Sequence, residues 1–225
     1  MNIAAINVGD PSRGKFEAVV ALVETTEVSL ANSDLPRLLV IPGLHDRGPA
    51  HWQSWLQSLH SGAIRVRQRD WSLPDLDRWA ARIANTLTHA GGGPFIAAAH
   101  SFGCLALARH LAQQADSPIV AALFVAPADP DRFGIAAQLP LRRLAATSTV
   151  VASDTDPWMR AAQARRWAQR WGSHFINLGD AGHINAEAGY GPLPFAARWV
   201  ATMLQQHACQ QRAGHPVIAE TSFAE

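Results

Sequence analysis

The sequence predicts an open α/β sheet of about six strands, mostly parallel, with helices on both faces. Three observations carry this expectation. From residue 37 onward, short apolar runs alternate with stretches of helical period. Several of the runs are apolar on both faces, as strands covered on both sides must be. Polar, chemistry-bearing residues fall just after the strands, on the C-terminal rim where such sheets bind ligands.

The elements follow in order. Residues 1–36 hold a loop-like INVGDPSRG and a stretch, FEAVVALVETTEVSL, that suits either a helix or a strand. They are set apart as an N-terminal extension of uncertain structure. RLLVIPG (37–43) is a buried strand stopped by Pro42-Gly43. In GPAHWQSWLQSLHSG (48–62), Trp52, Trp55, Leu56 and Leu59 stand at offsets 0, 3, 4 and 7, one helical face. AIRVRQRDW (63–71) alternates Ile64 and Val66 with Arg65, Arg67 and Arg69, which suits a strand near the sheet edge. Leu76, Trp79, Ile83 and Leu87 line the next helix, and Gly91 to Gly93 end it. PFIAAA (94–99) reads as a strand in spite of its alanines, because it is short and follows glycines. FGCLALARHLAQQ (102–114) is a helix; PIVAALFVAP (118–127) and STVVAS (148–153) are strands. PWMRAAQARRWAQRWG (157–172) presents Ala164, Trp167, Ala168 and Trp171 on one side. HFINL (174–178) is the last strand and PLPFAARWVATMLQQH (192–207) the closing helix. A single domain is expected over 37–208, with a loose tail over 209–225.

Composition narrows the class. With 225 residues, 48% of them apolar, the chain can bury one sizeable core. The net charge is +1, and the basic residues, all arginine except Lys15, are spread along the sequence. Nucleic acid is therefore not an expected partner. No run reaches the ~20 apolar residues of a membrane span, and Glu17 and Glu24 bracket the short apolar run of KFEAVVALVETTEV, which lacks the long apolar core of a signal peptide. Two cysteines, Cys104 and Cys209, are too few for a disulfide scaffold or a cysteine metal cluster. A reducing cytoplasm is the expected location. His45, His51 and His100 lack a metal-ligand spacing, and neither G-x-G-x-x-G nor a P-loop follows a strand. Neither a metal nor a cofactor is expected.

The rim gathers Gly43 to Arg47, Asp70, His100 with Ser101, Pro127 with Asp129, Asp154 with Asp156, and Asp180 with His183. A serine hydroxyl is a poor nucleophile until a base takes its proton, and the base needs an orienting partner. Ser101, an aspartate at 154 or 156, and His183 supply that set in the order Ser-Asp-His. AHSFG (99–103) departs from G-x-S-x-G only in Ala99, and what the junction needs is small residues where the chain crosses itself. Such a turn would expose Ser101 and aim the Phe102 amide at a developing oxyanion, aided by the helix dipole. The second donor is expected from IPGLHDRG (41–48): the amide of Leu44, with His45 as the alternative. Spacing leaves Asp154 and Asp156 both open, and Asp156 before Pro157 also suits a helix N-cap. Asp70 reads as a structural anchor and His51 as a packed or capping residue. His100 is expected to shape the elbow or pocket wall, beside His45, Trp71 and Trp158 as further wall candidates.

Taken together, IPGLHDRGPAHWQSWLQ, RDWSLPDLDRWAARI, AHSFGCLALAR, VASDTDPW and LGDAGHINAEAGYG resemble the small RBBP9/YdeN-type serine hydrolases of the α/β-hydrolase superfamily. The resemblance spans about residues 37–205. It implies a minimal α/β-hydrolase fold and a Ser101–His183–Asp156 triad, because the family pattern puts the acid directly before the proline. One departure is LHDRG, where members often carry glycine and asparagine. The expected activity is serine-dependent hydrolysis of a small-molecule ester through an acyl-enzyme, with amide hydrolysis as a variant. A protein-interaction module on a hydrolase scaffold is the alternative from another class. ADPDRFGIAAQLPLRRLAAT (128–147) is too short for a large cap domain, so an open or shallow pocket for small acyl groups is expected.

Overall fold

A computed structural model of the chain describes residues 35–46 and 48–214. The N-terminal extension and the end of the tail lie outside the described residues. Strand β1 (Arg37–Ile41) opens the fold, followed by helix α1 (Trp52–Ser58), β2 (Ile64–Arg65), α2 (Leu76–His89), β3 (Phe95–His100) and α3 (Phe102–Gln113). Then come β4 (Ile119–Val125), β5 (Thr147–Ala152), α4 (Ala161–Trp171), β6 (His174–Asn177) and α5 (Pro194–Gly214). The six strands lie in the order β2-β1-β3-β4-β5-β6, and every pairing is parallel.

Alternation along β1 separates two cores. Leu39 and Ile41 face α2, α3 and α4 with Trp79, Ile83, Phe102, Leu105 and Trp171. Leu38 and Val40 face α1 and α5 with Trp52, Leu56, Ala196 and Trp199. Burial on both sides explains why these strands read as continuous apolar runs. The alanines of β3 suit the middle of the sheet: Ala97 and Ala99 join one core and Ala98 the other, and small side chains let α3 and α5 approach closely. β2 lies at the sheet edge, as the arginine alternation suggests, but only Ile64–Arg65 form it, and residues 66–71 of the expected strand leave the sheet.

Chain order reverses between β1 and β3, because β1 leads outward to β2 and β3 returns past it. A crevice opens at such a point beyond the strand ends. There the β1–α1 loop and the β3–α3 turn meet, and a Cβ on Gly43 would stand 2.8 Å from the Ser101 Cβ.

Three further boundaries differ from the sequence reading. Helix α1 stops at Ser58, so Leu59 is a half-exposed C-cap rather than part of the buried face. Its buried set instead includes Gln53, whose Nε2 donates to the Ile41 and Ala98 carbonyls, both at 3.0 Å. Helix α4 begins at Ala161 with Arg160 as N-cap, so Asp156 does not cap it. Helix α5 continues to Gly214, through residues the reading placed in a tail. Between β4 and β5 the chain forms only two 3-10 turns, Pro130–Phe133 and Ala136–Gln138, and no large cap domain. Among the described residues no helix is long and apolar enough to cross a membrane.

Candidate active site

Ser101 sits between β3 and α3 with φ 54° and ψ −125°, a backbone conformation costly for a side-chain-bearing residue. Such strain persists only where its surroundings over-determine it, at about 1–3 kcal/mol. Here two close approaches do so. Gly103 lies so near β1 that a Cβ would collide with the Pro42 and Ile41 carbonyl oxygens, the latter at 2.7 Å. Gly43 passes equally close to Ser101 itself. Two small residues thus allow the sharp crossing, while Ala99 lies fully buried in the strand before it.

The structure brings Ser101, His183 and Asp156 together. Ser101 Oγ lies 3.0 Å from His183 Nε2, and His183 Nδ1 lies 2.9 and 3.0 Å from the two Asp156 carboxylate oxygens. The carboxylate can only accept, so Nδ1 carries its proton and Nε2 is left to accept from the serine. Asp156 is buried, and Oδ1 also accepts the Trp158 amide at 2.9 Å. Asp154 is placed differently: it is exposed and accepts from the Asn177 side-chain amide at 2.8 Å. Asp180 accepts from the Thr155 hydroxyl at 2.7 Å. Asp70 closes a local turn by accepting the Ser72 amide and hydroxyl, which hold its carboxyl below the usual range.

Two hydroxyls absent from the sequence reading join the acid turn to the histidine loop. Ser153 Oγ accepts the Ala181 amide and donates to the Gly179 carbonyl, at 3.0 and 2.9 Å. Thr155 Oγ1 accepts the Gly182 amide at 3.0 Å while donating to Asp180. Both lie on the turn after β5, and a period-based reading gives turn hydroxyls no special weight.

A cavity of about 150 Å³ opens onto Ser101 and His183. Leu44, Ala128, Phe133 and Trp158 form its apolar wall, with His45 and His100 as its other polar members. The Phe133 ring lies 5.1 Å from that of Phe102, on the short 3-10 turn between β4 and β5. Neither Phe133 nor Ala128 was foreseen, since nothing local marks a residue that reaches the site from a connecting segment. Trp71 is not part of the wall: its ring stacks edge to face on Trp79 at 5.9 Å. Its carbonyl instead accepts the His45 amide at 3.0 Å. That bond commits the His45 amide and leaves Leu44 as the loop's candidate second donor, beside Phe102 at the start of α3. His51 caps α1, its Nδ1 accepting from the Gln53 amide at 3.3 Å. Among the described residues no group of three or more His, Cys, Asp or Glu is placed to hold a metal ion. Cys104, in the first turn of α3, is buried; burial pushes its thiol up, away from the reactive thiolate.

Comparison with known proteins gives the chain's family and fold. The serine hydrolase family model matches residues 38–202. A YdeN-like protein from Pectobacterium atrosepticum shares 36% identity, with 81% of this chain and 97% of that chain covered and a TM-score of 0.73. The ydeN gene product from B. subtilis shares the fold at 19% identity, with coverage of 76% and 99% and a TM-score of 0.63. So does the carboxylesterase CesB from Bacillus subtilis, at 13% identity, coverage of 76% and 84%, and a TM-score of 0.56. No curated protein matches the chain.

Proposed function

This chain belongs to the serine hydrolase family, as a YdeN-type α/β-hydrolase, and from that premise we propose that it hydrolyses small carboxylic esters through an acyl-enzyme. One observation carries the reading: the unbroken hydrogen-bonded series from Ser101 through His183 to Asp156. In this mechanism Ser101 Oγ attacks the ester carbonyl carbon and passes its proton to His183 Nε2. Asp156 holds the resulting imidazolium. The carbonyl oxygen, now an oxyanion, accepts from the Phe102 and Leu44 amides, each such donor being worth about 3 kcal/mol. Collapse breaks the bond to the alkoxy group, which takes the proton from His183 and leaves as an alcohol. Water then gives a proton to His183 and attacks the acyl carbon, and a second collapse restores Ser101 and frees the acid.

The cavity of about 150 Å³, with its apolar wall, supports a small acyl group, because a long chain would have to leave it. Two free cysteines, Cys104 and Cys209, support a reducing cytoplasm as the place of work. The hydrolase domain is taken to start at residue 37.

A fluorophosphonate tests the reading, with intact mass and peptide mapping on wild type, S101A and H183A. One adduct on Ser101 is expected, absent from S101A and strongly suppressed in H183A. A folded wild type that takes no label would overturn the nucleophile assignment and favour the interaction-module alternative.

A further inference from the structure

His100 is 2% exposed, and its Nε2 lies 3.0 Å from the main-chain carbonyl oxygen of His183. A carbonyl only accepts, so Nε2 carries the proton and donates. Resting on the Ser101–His183 chemistry proposed above, we propose that His100 is a positioning residue. Its Nε2–H clamps the His183 carbonyl and so holds the His183 imidazole on Ser101 Oγ.

The base needs such a tie. His183 stands between Gly182 and Ile184, both in left-handed backbone at φ 52° and 46°. The Ala181 and Gly182 amides are fastened to Ser153 and Thr155, on the turn that carries the acid. Those bonds set His183 against Asp156. They do not set it against Ser101, which follows a different strand, β3. Two hydrogen bonds from the end of β3 reach His183: Ser101 Oγ to its ring and His100 Nε2 to its carbonyl. Because Ser101 and His100 are adjacent, the two bonds close a ring that fixes nucleophile against base.

The two bonds differ in persistence. Once Ser101 is acylated its oxygen has no proton to donate, so its bond to His183 is lost. The His100 bond involves no reacting atom and remains. It therefore keeps His183 in place while water attacks the acyl-enzyme. The His100 ring is itself held, 4.7 Å from the His51 ring and 4.8 Å from that of His183. A misplacement of about 1 Å at a reacting group can cost a hundredfold in rate.

The test compares H100F, which keeps a ring but removes the donor, with H100Q, whose side-chain amide brings an N–H to about the same place. Steady-state kcat and KM are measured on a short p-nitrophenyl ester, with thermal midpoints alongside. H100F is expected to lose about tenfold or more in kcat without a rise in KM, and H100Q to recover most of it. At the same time the two variants should have similar thermal midpoints, which separates positioning from general packing. Wild-type kcat in H100F, or an equal loss in both variants, overturns the inference. Should H100F not fold, H100N replaces it: its amide is one bond shorter, and wild-type kcat there overturns the inference equally. Fluorophosphonate labelling of wild type keeps the two readings apart. An unlabelled wild type sinks the nucleophile assignment, whereas a labelled one with fully active H100F sinks only the role of His100.

Discussion

Gly43 and Gly103 carry no reactive atom, yet the nucleophile's position depends on both. Each leaves room that a methyl group would fill, against Ser101 in one case and the β1 carbonyls in the other. Next to them, the choice between Asp154 and Asp156 shows what geometry adds to spacing. The two differ by two positions, but only Asp156 turns into the buried side and meets His183 Nδ1. D156N would keep the shape and replace an acceptor-only group with an amide that can donate. It would then favour the wrong His183 tautomer and forfeit charge stabilisation of the imidazolium. A loss of about a thousandfold or more in kcat is expected. D154N keeps its acceptor for Asn177 and should stay within about twofold of wild type. Parallel kinetics on the two variants check this, and an inactive D154N beside an active D156N would reverse the assignment.

At the scale of an element, helix α3 links the site to the fold's response to pH. Its first turn presents the Phe102 amide; its last turn buries His110 at 2% exposure, with Nε2 2.9 Å from Ser117 Oγ. A helix C-terminus favours a cation by about 0.3–1 kcal/mol. Burial opposes this and is the larger effect, pushing the His110 pKa from 6.5 down to about 4. The folded chain therefore keeps His110 neutral where the unfolded chain would protonate it. The stability tied to this neutral form is present above pH 6.5 and is lost as pH falls toward 4, at about 1.4 kcal/mol per pH unit. H110Q has no proton to take up. Its unfolding free energy relative to wild type should accordingly gain about 2 kcal/mol between pH 7 and pH 5. Urea titrations at the two pH values measure the difference. A constant difference would mean that His110 titrates alike in both states.

For the whole molecule, the order and type of the elements could be read from periodicity, because burial on both faces of a parallel sheet makes strands plainly apolar. Ser101 and His183 were legible for a related reason: the strand ends share one rim. What periodicity could not reach were contacts made across the fold. Gln53, polar on an apolar face, is buried because it bridges carbonyls of β1 and β3. Trp71 follows a rim strand yet turns back onto Trp79. Phe133 reaches the cavity from a connection whose shortness indicates only that it holds no large cap domain. That connection sets the last expectation. With two 3-10 turns in place of a cap, that connection contributes the Phe133 ring to the cavity wall, and an acyl chain running along this wall would meet it. F133A removes it without touching Ser101, His183 or Asp156. Each methylene accommodated in an apolar pocket is worth about 1 kcal/mol or more in specificity. Across a p-nitrophenyl ester series from acetate to octanoate, wild type should favour the short members. F133A should shift kcat/KM toward the longer ones by about tenfold, at some cost in stability from the lost contact with Phe102. An unchanged profile would place the acyl chain on another wall and give this cavity to the leaving group.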